Sequence, residues 1–354
     1  MKIIEASGSP FEIGKHLGSE LKELVRTHAE NSEEFVEIEK RWSGSAYIRK
    51  MMEAATAFSS SYMEEIRGLA EGLSIDFERV FLWNCRGDLR WPDDISPSLA
   101  YSLSEGCTSV MMRKGDNNAT LIAHNEDGSE EFAGICPWIR VKPDDAPGFE
   151  SFMYPGLVAG HSMGANAAGI VQTINNIRVA DLKPGVPRHI ITRAVLDAEN
   201  LDQVFDIVKR ADRASGFHHN IGCAKTGRLF SIEAPASGCS IEEITNTSYV
   251  HANHLIHESE KQKEQDITSS STNRQIRAEE LNNAGVLRDG DPTNILFDEL
   301  EGREILRTPK ENGDDYGQTL ATGIFEMHPD RIEISLIDGA KRQELLNRTI
   351  TLIT

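Results

Sequence analysis

Apolar residues recur at helical spacing through the first part of the chain. Ile13, Leu17, Leu21 and Leu24 form one series, and Ala54, Phe58, Tyr62, Ile66 and Leu69 form another. Positions three or four apart share one face of an α-helix, so both series predict amphipathic helices. Ser9-Pro10-Phe11-Glu12 supplies a start signal for the first: Ser caps, Pro takes the first helical position and Glu closes a capping box. The first hundred residues read as mostly helical.

After Cys107 the period shortens to two. Residues 108–112 and 120–124, separated by turn residues at 115–118, predict a hairpin. Further strands are expected at 138–141, 169–174, 217–223, 229–233 and 249–252, with a closing hairpin from 320–327 and 331–337. Two helices fit between Arg188 and Ala211, and the polar stretch 257–316 carries one more at about 273–283. No internal repeat is visible. This order suits two antiparallel sheets flanked by helical layers, an α+β arrangement, better than a regular βαβ alternation. The switch at Gly106-Cys107 divides a mostly helical part, 1–106, from a strand-rich part, 107–354, of one shared globular body.

Composition narrows the function classes. A formal charge of −19 without a basic stripe excludes nucleic acid, whose binding depends on Lys and Arg neutralising phosphates. The hydrophobic set at 39% and charged residues at 26% are ordinary for a globular protein. No apolar run approaches the eighteen or so residues of a membrane span, and Met1 to Pro10 lacks the pattern of a secretory leader, so a cytoplasmic protein without a membrane partner is expected. Five cysteines (Cys85, Cys107, Cys136, Cys223 and Cys239) contain no CxxC pair, which suggests neither a disulfide framework nor a zinc ribbon. With neither a Walker loop nor a GxGxxG fingerprint, no cofactor is expected.

Glu105-Gly106-Cys107-Thr108-Ser109 carries the candidate chemistry. A cysteine attacks a carbonyl as its thiolate and needs a base and oxyanion donors nearby. A chain-terminal cysteine supplies its own base, because an α-amine with a pKa of about 8 can take the thiol proton. Cleavage before Cys107 would create that amine, and Gly106 offers little hindrance. His124-Asn125-Glu126-Asp127 lies seventeen to twenty residues on, where the hairpin returns beside Cys107.

Gly-Cys-Thr-Ser, a hairpin and His-Asn-Glu-Asp-Gly together resemble the penicillin acyltransferase family of self-cleaving, N-terminal-nucleophile (Ntn) cysteine hydrolases. Further landmarks occur in the family's order: the segment from Gly8 to Gly14, Glu65 to Gly72, Met163-Gly164-Ala165-Asn166 leading to Asn175-Asn176, and His251-Ala252-Asn253-His254. The resemblance covers nearly the whole chain and is weakest across 257–316. It implies a four-layer αββα sandwich, self-cleavage between Gly106 and Cys107 into fragments that stay associated, and amide chemistry through an acyl-thioester on a small-molecule substrate. Cys107 would be the nucleophile, Asp127 would orient the freed amine and Asn253 would serve the oxyanion. Asn176, favoured over Asn175, would add a donor, and His124 and Asn125 would lie near the substrate. Related bile-salt and penicillin V hydrolases carry Arg where this chain has His124. The His-Asn-Glu-Asp form is closer to carcinine and β-alanyl-dopamine hydrolases, which makes removal of an acyl or β-aminoacyl group from a small amine the leading substrate expectation. Hydrolysis and acyl transfer are not distinguished, and homo-oligomerisation is left open.

Rival readings remain. Gly160-His161-Ser162-Met163-Gly164 matches the GxSxG elbow of serine esterases, but that fold needs strands before the elbow. His218, His219, His251 and His254 with Cys223 offer metal-ligand types without a metal spacing, and no metal is expected. Glu126, Glu130 and Glu131 read as a solvated acidic loop around Asp127, and Asp314-Asp315 as surface charge. A non-catalytic binding protein of the same fold would keep the Gly106-Cys107 bond intact.

Overall fold

The computed structural model describes residues 1–30, 32–89, 106–114, 119–210, 212–308 and 317–353. The expected turn at 115–118 and the acidic pair at 314–315 lie outside the described residues.

The helices are α1 (Pro10–Leu24), α2 (Glu33–Trp42), α3 (Ala46–Phe58), α4 (Ser60–Leu73), α5 (Phe77–Asn84), α6 (Arg188–Val195), α7 (Leu201–Arg210), α8 (Ser269–Ala284) and α9 (Thr293–Leu296). The strands are β1 (Ile3–Gly8), β2 (Cys107–Lys114), β3 (Ala119–Ser129), β4 (Trp138–Pro143), β5 (Phe149–Phe152), β6 (Met163–Asn166) and β7 (Ile170–Ile177). They continue as β8 (Gly216–Cys223), β9 (Arg228–Ala234), β10 (Ser240–Glu243), β11 (Ser248–His251), β12 (Gly317–His328), β13 (Arg331–Asp338) and β14 (Glu344–Thr351).

Two sheets form. One has eight strands in the order β1-β4-β5-β6-β7-β8-β9-β10, and the other has six in the order β11-β2-β3-β12-β13-β14. Apart from the parallel pair of β1 with β4, every ladder between these strands is antiparallel among the described residues. Strands β2 and β3 face β7 and β8 across the interior, α1 packs on β1 and β4, and α8 and α9 cover β11 and β2. The layers therefore run helix, sheet, sheet, helix, the αββα sandwich of the α+β class.

Side-chain alternation produces the layering. On β2 and β3, Met111 and Ile122 point into the main core, while Val110, Met112, Leu121 and Ala123 meet Ala278, Ile295 and Leu296 of the outer helices. The main core also takes Ile13, Leu17 and Leu21 of α1, so residues before and after Cys107 share it.

The expected capping box is present, with Ser9 accepting the Glu12 N–H and Glu12 accepting the Ser9 N–H at 2.9 Å. Two landmark segments prove to be packing devices. A Cβ on Gly14 would lie 1.9 Å from the Glu65 carbonyl oxygen, and one on Gly68 would lie 2.0 Å from that of Phe11. Any side chain there would push α1 and α4 apart. Glu65 itself pairs with buried Arg193 of α6 at 2.9 Å, and Asn166 donates to the carbonyls of Leu196 and Ala198 just beyond that helix.

Strands β1, β5, β6, β10 and β14 were not expected from the pattern. β1 nevertheless alternates in burial, with Ile4 and Ala6 inward, and β5 and β6 have only four residues each, too short for a period to declare itself.

Candidate active site

The hairpin register places Cys107 opposite Glu126 and Ser109 opposite His124. Opposed residues of an antiparallel pair share a face, so these four point between the sheets, while Thr108, Asn125 and Asp127 point toward the outer helices. Cys107 is the first residue of β2 and is buried.

Its main chain is held by side chains from distant elements. The Cys107 N–H donates to Asn253 Oδ1 at 2.8 Å. Arg274, on α8, donates to the same oxygen at 2.7 Å, to the Cys107 carbonyl at 2.6 Å and to Thr108 Oγ1 at 3.0 Å. The Gly106 carbonyl accepts the Asp127 N–H at 3.0 Å. A Cβ on Gly106 would sit 2.6 Å from a guanidinium nitrogen of Arg274, so the clamp occupies the space that a side chain before Cys107 would need.

Asp127 is fully buried. Its Oδ1 accepts from Thr319 Oγ1 at 2.7 Å, and its Oδ2 has no hydrogen-bond partner among the described residues. Burial, reinforced by the Glu126 charge and opposed by Arg274 and Thr319, pushes its carboxyl up to about 7. The Cys107 thiol is pushed well above its ordinary range by burial first and then by the charges of Glu126 and Asp127. In the intact chain it is a protonated thiol.

Glu126 corrects the expectation of a solvated acidic loop. It is buried in the ladder, taking Tyr154 OH on Oε1 at 2.9 Å, and His124 Nε2 at 3.1 Å and Ser162 Oγ on Oε2. Cys107 Sγ lies 3.9 Å from that same Oε2. Burial works against its charge, yet the hydrogen bond and charge of His124, with His161 and Ser162, outweigh it and hold the carboxyl below its usual value. His124 completes its contacts on Ser109 Oγ at 2.8 Å.

The other expected residues divide. Asn125 faces away from Cys107: it donates to the Leu296 and Ile305 carbonyls and accepts from Thr322, tying the outer helical layer to the sheet. Asn175 is buried in a polar network with Ser109, His218 and Asn220. Asn176 turns its side chain to Arg188, and it is its carbonyl that meets the site, accepting Asn253 Nδ2 at 3.0 Å. The Asn176 side chain, expected as a donor, thus points away from Cys107 and accepts from Arg188 through Oδ1, because alternation on β7 points it at α6.

Ser162 does not form an elbow. It is buried, bonds Glu126 and is followed by strand β6 instead of a helix. The histidines also fail to converge with Cys223: His251 stacks on His218 and bonds Glu233, His219 bonds Gln172, and His254 bonds Ser271. Among the described residues, Cys107, His124 and Glu126 are the His, Cys and carboxylate groups near enough to one another to surround an ion. Their hydrogen bonds to one another and to Ser109, Ser162 and Tyr154 already account for these atoms. Among the described residues, no helix is long and apolar enough to cross a membrane.

Sequence reasoning missed Arg274, Thr319 and Tyr154. Arg274 is 167 residues from the carbonyl it holds, and no local spacing signals such a contact. The alternation through Ile122, His124 and Glu126 was the available sign that Glu126 faces inward with Cys107.

A β-alanyl-dopamine/carcinine hydrolase of Drosophila melanogaster is 26% identical over 218 residues, which are 57% of this chain and 54% of that protein. The chain thus spans about half the length of the curated relative it matches. A Caenorhabditis elegans ortholog of N-acylethanolamine-hydrolyzing acid amidase is similar in structure, with a TM-score of 0.43 and 14% identity over 63% of this chain and 93% of that one. Residues 113–341, well over half of the sequence and beginning just past Cys107, match the family described as acyl-coenzyme A:6-aminopenicillanic acid acyl-transferase. The chain belongs to that acyl-transferase family.

Proposed function

We propose that the chain is a self-processing cysteine amidohydrolase or acyltransferase that cuts itself between Gly106 and Cys107 and then uses Cys107 on an amide of a small amine. The observation that carries this reading is the treatment of the Cys107 nitrogen. In an ordinary ladder a strand N–H seeks a neighbouring carbonyl; here it is held by the side chain of Asn253, which Arg274 fixes in turn.

Cleavage would turn that nitrogen into an amine beside Asp127, whose Oδ2, without a partner among the described residues, can take one of its protons in a hydrogen bond. The amine accepts the thiol proton, the thiolate attacks the substrate carbonyl, and Asn253, whose side chain already touches the Cys107 nitrogen, would turn its amide N–H from the Asn176 carbonyl to the oxyanion. The leaving amine departs, and water or a second amine resolves the thioester. Fragments 1–106 and 107–354 would stay together through their common core. The similarity to a β-alanyl-dopamine/carcinine hydrolase supports an acyl or β-aminoacyl amide as the substrate class.

Denaturing intact-mass measurement of wild type beside Cys107→Ala tests the reading. Two wild-type fragments, one beginning at Cys107, against one full-length variant chain is the expected result. An uncut wild-type chain refutes it. Release of amine from β-alanyl and simple N-acyl amides by the cut protein then tests the substrate class.

A further inference from the structure

Self-cleavage presents a problem that the mature mechanism does not. The α-amine that serves as base in the cut enzyme is, before the cut, an amide nitrogen with no basic lone pair. The thiol is buried and protonated. Something else must take its proton the first time.

Among the described residues, the side chain that Cys107 Sγ hydrogen-bonds is Glu126, through Oε2 at 3.9 Å. We infer that Glu126 is the base for the first step of self-cleavage, oriented on the sulfur by His124, Ser162 and Tyr154. The assignment rests on the self-processing reading above and extends it to the uncut chain.

The geometry is that of a carboxylate held in place. Tyr154 holds Oε1, His124 and Ser162 hold Oε2, and the group sits on the strand directly opposite the nucleophile. These donors keep it ionised and ready to accept, and they fix which oxygen faces the sulfur. Asp127, the other carboxylate of the site, leaves the strand on the opposite face, where Thr319 meets it.

The step balances as follows. The thiol proton passes to Glu126 Oε2 as Sγ bonds the Gly106 carbonyl carbon through a five-membered ring. The carbonyl electrons move to oxygen, where the Asp127 N–H already donates at 3.0 Å. On collapse the bond from carbon to the Cys107 nitrogen breaks, and the proton held by Glu126 goes to that nitrogen. This gives a thioester and a free amine. Water then hydrolyses the thioester, leaving a Gly106 carboxylate and the Cys107 thiol. Glu126 ends as it began, and the new amine takes over as base for later turnovers.

Cell-free synthesis of the full chain, followed over time on denaturing gels with and without hydroxylamine, tests the assignment. Hydroxylamine cleaves thioesters and leaves amides intact on that timescale. Glu126→Gln should slow cutting by about a hundredfold or more and should be indifferent to hydroxylamine, because no thioester forms. Glu126→Asp, which keeps a carboxylate, should recover part of the rate. Melting temperatures beside Cys107→Ala show whether each variant is folded, and if Glu126→Gln is not, the Asp variant and His124→Gln carry the test, both expected to be slow and insensitive to hydroxylamine.

Wild-type cutting rates in Glu126→Gln would overturn the assignment. So would a stalled variant that hydroxylamine splits at Gly106-Cys107, since the thioester would then have formed without Glu126. An uncut wild type would instead remove the self-processing reading itself, which separates the two failures.

Discussion

The two faces of strand β3 hold neighbouring carboxylates in opposite conditions. On the inner face Glu126 receives Tyr154, His124 and Ser162, and the balance keeps its carboxyl below the ordinary range. On the outer face Asp127 has Thr319 on one oxygen and no partner among the described residues on the other, and burial pushes it up to about 7. Both are buried and one residue apart, so depth does not explain the difference. The supply of donors does: a buried carboxylate stays charged where hydrogen bonds replace water and becomes hard to ionise where one oxygen is left bare. Glu126 is complete in the uncut chain, whereas Asp127 lacks a donor that the freed amine of Cys107 would provide.

The largest effect expected from this contrast is on stability. The folded-state value of Asp127, about 7, lies above its ordinary 3.8. Between those values the unfolded chain has released the proton and the folded chain retains it, so stability falls as pH rises and levels off once both forms are ionised. At about 1.4 kcal/mol per pH unit the penalty reaches at most about 4 kcal/mol. In an uncut Cys107→Ala background, Asp127→Asn should therefore raise stability at pH 7.5 by up to that amount and leave it nearly unchanged near pH 4. Denaturant melts of the pair across that range measure it. An equal gain at both ends would mean that charge is not the cause.

Next in size is Asn253→Ala, which removes the side chain touching the Cys107 nitrogen. Loss of one oxyanion donor costs roughly a hundred- to a thousandfold in rate, so kcat of the cut enzyme should fall by that factor while KM changes less. An unchanged kcat would leave Asn253 as a clamp for the chain and nothing more. Gly106→Ala should slow cutting about tenfold or more, an effect smaller than loss of an oxyanion donor, because the new Cβ would lie 2.6 Å from the Arg274 nitrogen that holds Asn253 Oδ1 and must push that nitrogen aside. Cutting at the normal rate would show that the clamp is dispensable.

How much of this contrast was legible in the sequence depends on range. The hairpin declared itself through its period of two, and the capping box and helical series through local spacing, because such signals are written within a few residues. The same alternation separates Glu126 from Asp127, but a run of acidic residues reads more readily as a solvated loop, and only burial distinguishes the two. Arg274 and Thr319 were invisible for a plainer reason: their contacts with Cys107 and Asp127 span 167 and 192 residues. The glycines of α1 and α4 show the converse. Their positions resembled family landmarks, yet what they provide is close contact between two helices, remote from the chemistry.

The smallest expected effect also separates two enzyme classes. Among the described residues, Ser162 is one of three side chains that donate to Glu126 besides Cys107 itself. In Ser162→Ala the carboxylate keeps Tyr154 and His124 but loses a hydrogen bond to its charged form, so its pKa should rise. The lost bond is worth about 1.5–3 kcal/mol when one partner is charged, and part of that returns if the carboxylate draws closer to its remaining donors. A higher pKa makes a stronger base, but the contact that holds Oε2 toward the sulfur is lost, and self-cleavage should slow about tenfold on balance, with fragments still appearing at Gly106-Cys107. A serine esterase would behave otherwise, since deleting its nucleophile abolishes turnover whatever happens to Cys107. Measuring cleavage and amide hydrolysis in Ser162→Ala beside Cys107→Ala therefore distinguishes a donor that tunes the inner carboxylate from a nucleophile in its own right. Retained hydrolysis in the first and none in the second places the chemistry on the sulfur, and the reverse would move it to the hydroxyl.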